Sequence, residues 1–130
     1  MNVYVTDTHP LLWYLQASPK LSPAATAAFQ EAESGAALIK IPAIVLAELY
    51  YTNQKLGRPL DFKRELARLR AERSFHFVPL FSTDIEDFER AAVVPEMHDR
   101  MIVVVALHFA ASCITRDSEI IASGLVPIVW

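Results

Sequence analysis

Five short runs with strand character alternate with helix-length segments along all 130 residues, and this alternation restricts the fold more than any other feature of the chain. Strands separated by helical patterns imply βαβ units: an α/β fold with a mostly parallel central sheet flanked by helices. The expected strands are 3–6, 37–41, 75–80, 113–115 and 126–129. Between them, Ser22 before Pro23 reads as an N-cap with Pro at the first helical position, opening a helix to about Glu33 that Gly35 ends. Pro42 opens a helix that runs through Glu48 to about Lys55, closed by Gly57. Asp61 caps a further helix in which Phe62, Leu66 and Leu69 fall on one face. An acidic helix is expected from Ser82 or Thr83, Asp99 is expected to cap a very apolar helix to about Ala111, and Asp117 to cap a brief turn. With no repeat, low-complexity tract or linker, residues 1–130 read as one domain.

Hydrophobic residues make up 53% of the chain and charged ones 21%, which excludes disorder and supplies a core without disulfide or metal staples. The single Cys113 has no internal disulfide partner and sits in an apolar run, where a free thiol behaves as a small buried hydrophobe. A reducing cytoplasm is the expected setting. No basic segment followed by a cleavable apolar one opens the chain, and the apolar stretch 101–114 is too short to span a bilayer. A net charge of −3 argues against a nucleic-acid partner, but the charges are segregated. Seven basic residues face three acidic ones between Lys55 and Arg73, whereas Asp84, Glu86, Asp87 and Glu89 are opposed only by Arg90.

Four acidic residues sit where apolar runs meet turns or lie inside them: Asp7 in VYVTDTHPLLWYL, Glu48 in IPAIVLAELYY, Asp99 in HDRMIVVVALHFAA and Asp117 in SCITRDSEII. An unpaired buried carboxylate costs several kcal/mol, so such groups are neutralised, paired or bound to metal. Asp7 and Asp117 each follow a strand and Asp99 opens a helix, so all three fall at the carboxyl edge of a parallel sheet, where ligands bind. Glu48 lies about two turns into its helix and must reach inward. Two carboxylates about 4 Å apart repel by roughly 4 kcal/mol at an effective dielectric near 20, so a shared cation is the simplest partner. Hard oxygen donors without Cys or multiple-His spacing select Mg²⁺ or Mn²⁺ over zinc. Each acid alone has a plainer reading: Asp99 and Asp117 as N-caps, Asp7 as the acceptor of a tight turn, Glu48 on an exposed helix side.

Taken as a set, these segments resemble the PIN-domain ribonucleases, in particular the VapC-like toxins of bacterial toxin–antitoxin pairs. DTHPLLWYL with the later LSPAATAAF is similar to the family's opening, AELYY to its Glu segment, HDRMIVVVAL to the third acid, and ITRDSEI to the Thr-Arg-Asp segment near the end. The resemblance covers nearly the whole chain. It implies cleavage of RNA dependent on Mg²⁺ or Mn²⁺, with Asp7, Glu48, Asp99 and Asp117 as the acidic quartet. Thr115 matches the family's hydroxyl position, and Thr8 a neighbouring one. It further implies hydrolysis without a covalent intermediate, products with 5′-phosphate and 3′-hydroxyl ends, a homodimer, and a small antitoxin whose C-terminal segment blocks the acidic groove. The sequence departs from many relatives where a longer Asp-Pro-Phe-Asp-Arg type stretch is shortened to PEMHDR, leaving His98 beside Asp99.

Other polar residues are weighed on the same footing. Arg100 and Arg116 flank two of the acids, and their expected roles are phosphate binding or pairing with the carboxylates. Arg64 and Arg68, in the basic helix, are the expected contacts to an RNA backbone. His98 reads as a polar residue preceding an N-cap, His9 as part of the first turn, and His108 as a satisfied core residue. Trp13, Tyr14, Tyr50 and Tyr51 read as core or interface. A phosphoaccepting receiver domain needs a late Lys, and none follows Lys63; a haloacid-dehalogenase-type phosphatase needs Asp two residues after the first, where His9 stands. The rival from another class is a PIN-like module that binds RNA or protein with little nuclease activity.

Overall fold

Parallel strands cannot be joined by tight hairpins; each pair needs a crossover, usually a helix. The computed structural model, which describes residues 1–130, supplies one between every pair of consecutive strands. Strands β1 (Asn2–Thr6), β2 (Ala37–Pro42), β3 (Phe75–Val78), β4 (Ser112–Ile114) and β5 (Ile128–Val129) form one sheet in the order β3-β2-β1-β4-β5. Every neighbouring pair is parallel. The helices are α1 (Thr8–Leu15), α2 (Pro23–Glu33), α3 (Ala43–Lys55), α4 (Phe62–Ala71), α5 (Ser82–Glu86), α6 (Met97–His108) and α7 (Ser118–Ser123), with a 3-10 turn over Asp87–Ala91.

A sheet covered on both faces reads as continuous apolar strands rather than alternating ones. Val5, Ile39, Ile41, Cys113 and Ile114 accordingly have no exposed surface. Leu11, Phe29, Val45, Leu49 and the run Ile102–Val104 close over them from the helices, equally buried. Tyr14 stacks on Phe29 with ring centroids 4.2 Å apart and lies 5.8 Å from Phe75, binding α1, α2 and the edge strand β3 together.

Helix ends follow their local chemistry. Ser22 Oγ accepts from the Ala25 amide at the start of α2, with Pro23 at the first position. Gly35 and Gly57 take φ near +80°, a backbone that lets each helix stop where a side chain would strain it. Several boundaries differ from the sequence reading; β1 begins at Asn2, β2 runs to Pro42, and β4 is shifted back by one to Ser112–Ile114. β3 ends at Val78, because Pro79 removes the next ladder donor. β5 begins at Ile128 rather than 126, after Pro127. Asp99 is not an N-cap: Glu96 holds that place, its Oε2 accepting from the Asp99 amide at 2.9 Å, and α6 runs from Met97 only to His108.

The strand order turns back on itself at β1, with β2 on one side and β4 on the other. The loops leaving the carboxyl ends of β1 and β4 diverge there and open a crevice, the place where parallel α/β sheets put their ligands.

Candidate active site

Asp7 leaves β1 at that crevice. Its amide still donates to the Ile114 carbonyl at 3.0 Å, extending the ladder one step and setting Asp7 beside Thr115, the residue that follows β4. Its carboxylate caps α1 by accepting from the Thr8 amide at 2.7 Å on Oδ1, while Oδ2 accepts from Thr115 Oγ1 at 2.7 Å. Thr115 is fully buried and works in both directions, since Oγ1 also accepts from the Asp117 amide at 3.0 Å. Asp117 then caps α7, with Oδ1 accepting from the amides of Glu119 and Ile120. Thr8, itself buried, donates from Oγ1 to Glu48 Oε1 at 3.0 Å, tying the middle of α3 to the first turn of α1.

Asp99 completes the group from the third position of α6. The helix N-terminus by itself favours a carboxylate there. Burial wins instead, and the negative charges of Asp117, Asp7, Glu96 and Glu48 add to it, lifting the Asp99 carboxyl to about 7. Asp7 is raised chiefly by burial, against the hydrogen bonds from Thr115 and Thr8 that favour its charged form. Glu48 is raised by burial too, with Thr8 and His98 opposing. The four acids named from the sequence therefore come together from four separate elements and feel one another's charge.

No three acidic or His side chains stand close enough to grip an ion as they are. The donor set nevertheless suits a hard divalent cation. It consists of carboxylate oxygens, several of them destabilised in their charged form, and Mg²⁺ keeps most of its waters and needs only one or two direct carboxylates. The linkage to stability has a definite sign. An unfolded Asp loses its proton near 4, whereas Asp99 in the folded chain holds it to about 7. Between those values the folded state binds more protons, so stability is greatest at low pH and falls as pH rises. In EDTA the Tm is expected to be higher at pH 5 than at pH 8, and millimolar Mn²⁺ or Mg²⁺ to narrow the gap. Thermal unfolding at the two pH values, with and without the ion, measures it.

The remaining candidates separate. Arg100 is committed elsewhere: Nε donates to the Val94 carbonyl at 2.6 Å and a terminal nitrogen to that of Ala92 at 3.1 Å, closing the turn before α6. Arg116 lies on the wall of a cleft of about 300 Å³ beside Asp7 and Asp117, its guanidinium 4.6 Å above the Trp13 ring. Arg68 is bound to Glu65 at 3.0 Å and lines a cavity with Tyr14 and Glu33 that none of the four acids touches. Arg64 is exposed on α4.

His108 is satisfied but is not a core residue: it is exposed at the end of α6, held between Asp84 at 3.0 Å and Asp87 at 2.6 Å. Trp13 is buried, but Tyr50 and Tyr51 are 42% and 70% exposed, so neither is core. His98, read from sequence as an incidental neighbour, sits inside α6 with Nδ1 3.3 Å from Glu48 Oε2 and 3.5 Å from Glu96 Oε1. Glu96 is the other residue that sequence reasoning passed over; its position right after Pro95 and three before Asp99 was the available signal for a helix start.

Comparison with known proteins agrees with this architecture. The PIN domain profile matches residues 4–123. The fold is similar to that of VapBC2 from Rickettsia felis, solved bound to a DNA fragment from their promoter (TM-score 0.69, 16% identity, 97% of this chain and 96% of that one). It is similar to FitAcB from Neisseria gonorrhoeae (TM-score 0.58, 18% identity, 98% and 96%) and to the PIN domain endonuclease Utp24 (0.51, 19%, 97% and 82%). No curated protein matches by sequence. At these identities the solved structures speak for the fold, while the profile spans nearly all of the sequence. This chain belongs to the PIN-domain family.

Proposed function

We propose that this PIN domain is a divalent-metal-dependent endoribonuclease and the toxin of a toxin–antitoxin pair. The observation that carries the reading is the acidic set at the divide between β1 and β4: Asp7 and Asp117 line one cleft there, and Asp99 is raised to about 7 first by burial and then by the charges of Asp117, Asp7, Glu96 and Glu48. Those four carboxylates are the residues that would hold Mg²⁺ or Mn²⁺. When bound, such an ion makes a coordinated water more acidic and offsets charge on a phosphodiester.

The chain's own contribution is positioning. Thr115 fixes the Asp7 carboxylate and the start of the Asp117 turn at once, and Thr8 fixes Glu48. The cleft beside Asp7 and Asp117 leaves room for the scissile phosphate, and His9, Pro10, Arg116 and Ser118 complete its lining. Likeness to VapBC2 and FitAcB supports an antitoxin partner, and with it a cytoplasmic setting and a homodimer. No helix is long and apolar enough to cross a membrane.

The test is direct. Purified protein free of any partner is incubated with total RNA and Mn²⁺ or Mg²⁺, beside an EDTA control. Shortened RNA with the ion and intact RNA in EDTA is the expected result; RNA left whole in the presence of either ion would overturn the reading.

A further inference from the structure

A phosphodiester strand approaching four clustered carboxylates is repelled before any ion can help, so the path into the cup needs positive charge of its own. The structure offers a polar route of that kind that no acidic residue lines beyond the acids themselves. His9 and Arg116 line the cleft beside Asp7 and Asp117, and the same two residues line a second, adjoining cleft of about 500 Å³. The second cleft runs along α1 past Gln16 to Lys20 and is bounded across from it by Thr52 and Pro59. No acidic residue lines it, in a chain whose net charge is −3. Its volume is in the range that accommodates a group of drug size, such as a nucleotide.

The cations along this route are available. Neither Arg116 nor Lys20 belongs to any ion pair in the protein, and both are exposed. Arg116 is also held in place without losing its donors. Its guanidinium lies 4.6 Å over Trp13, whose ring is itself flanked by His9 at 5.5 Å and Trp130 at 5.9 Å. A stacked guanidinium keeps its fork of N–H groups free at the edge for a phosphate. Arg68, by contrast, is spent on Glu65 and opens into a cavity shared with Glu33.

We infer that the groove formed by His9, Gln16, Lys20 and Arg116 carries the single-stranded RNA flanking the scissile phosphate, with Arg116 and Lys20 on successive backbone phosphates. The inference rests on the ribonuclease reading above and deepens it. Charge complementarity and continuity with the acidic cup select the occupant; an acidic peptide segment would meet the same two cations but has no reason to end at the carboxylates.

The experiment measures binding and cleavage separately. Binding of a fluorescein-labelled 12-nucleotide single-stranded RNA is followed by anisotropy across a salt series, on the full chain carrying Asp99→Asn so that the probe survives. Adding Lys20→Gln and Arg116→Gln together is expected to weaken binding about tenfold at low salt and to flatten the log–log salt slope by roughly 0.7 per lost contact. Arg90→Gln, a charge loss on the remote 3-10 turn, serves as the comparison and is expected to bind as the Asp99→Asn parent does. In parallel, the otherwise native chain is assayed for RNA cleavage. If that chain cuts RNA while the Lys20 and Arg116 changes leave affinity and slope at the Arg90→Gln level, the groove is not the track and the ribonuclease reading stands. If the two changes weaken capture of a labelled Glu-rich peptide and spare RNA, the groove serves a protein and the inference fails. If the native chain neither cuts nor binds RNA, the underlying reading has failed as well.

Discussion

Replacing Asp99 by Asn is expected to abolish RNA cleavage while making the metal-free protein harder to unfold. Asp99 bears the most strongly lifted carboxyl of the four acids, raised to about 7 first by burial and then by the charges of Asp117, Asp7, Glu96 and Glu48. Asn is nearly the same shape and carries no charge, so the repulsion disappears and the Tm in EDTA at pH 8 rises. Activity moves the opposite way. Loss of a mere outer-sphere partner typically costs about 10–100-fold in metal affinity or rate, and loss of a direct carboxylate should exceed that. Single-turnover cleavage of a labelled RNA gives one arm and thermal unfolding the other. A variant that loses both activity and stability would mean that Asp99 serves the fold rather than the site. The opposed signs are the informative outcome, because ordinary damage to a protein lowers both.

Thr115→Val is the second large effect, and here the two readouts should fall together. The hydroxyl is completely buried, donates to Asp7 at 2.7 Å and accepts from the Asp117 amide at 3.0 Å. Val fills the same space but takes away the partner that a carboxylate oxygen of Asp7 and the Asp117 amide share. Stranding buried polar groups costs about 1–3 kcal/mol. Without that bridge both acids are free to drift, and a displacement near 1 Å in a catalytic group costs on the order of 100-fold in rate. Thr115→Ser keeps the hydroxyl and should recover most of the lost rate with a smaller loss of Tm. Urea unfolding and the same cleavage assay on the two variants decide it; a Ser variant no better than the Val one would show that the hydroxyl is not what holds the two acids.

Much of the architecture was legible because local and global signals agree. The five strands, the Ser22-Pro23 helix start and the stops at Gly35 and Gly57 follow from backbone chemistry that no tertiary contact overrides. The placement of the acids was legible for a similar reason: a parallel sheet has one ligand edge, Asp7 and Asp117 cap the helices that follow β1 and β4, and Asp99 lies in the first turn of α6. What escaped was everything set by rotamers and small registers. A Glu at an N-cap is unusual, so the start of α6 was placed at Asp99 instead of after Glu96. The contact of His98 with Glu48 joins α6 to α3, and no spacing along the chain encodes it. Arg68 and Arg116 look alike as basic residues in sequence. One proved tied to a neighbouring Glu and the other stacked on Trp13, a difference that only the fold creates.

The bond from Thr115 to Asp7 closes a loop of 108 positions, and β1 finds β4 only when every residue between them has been made. A chain still being synthesised therefore holds its first acid without the strand that orients it. Pairing of such distant segments is slow compared with local helix formation, so Asp7 gains its Thr115 partner late in folding.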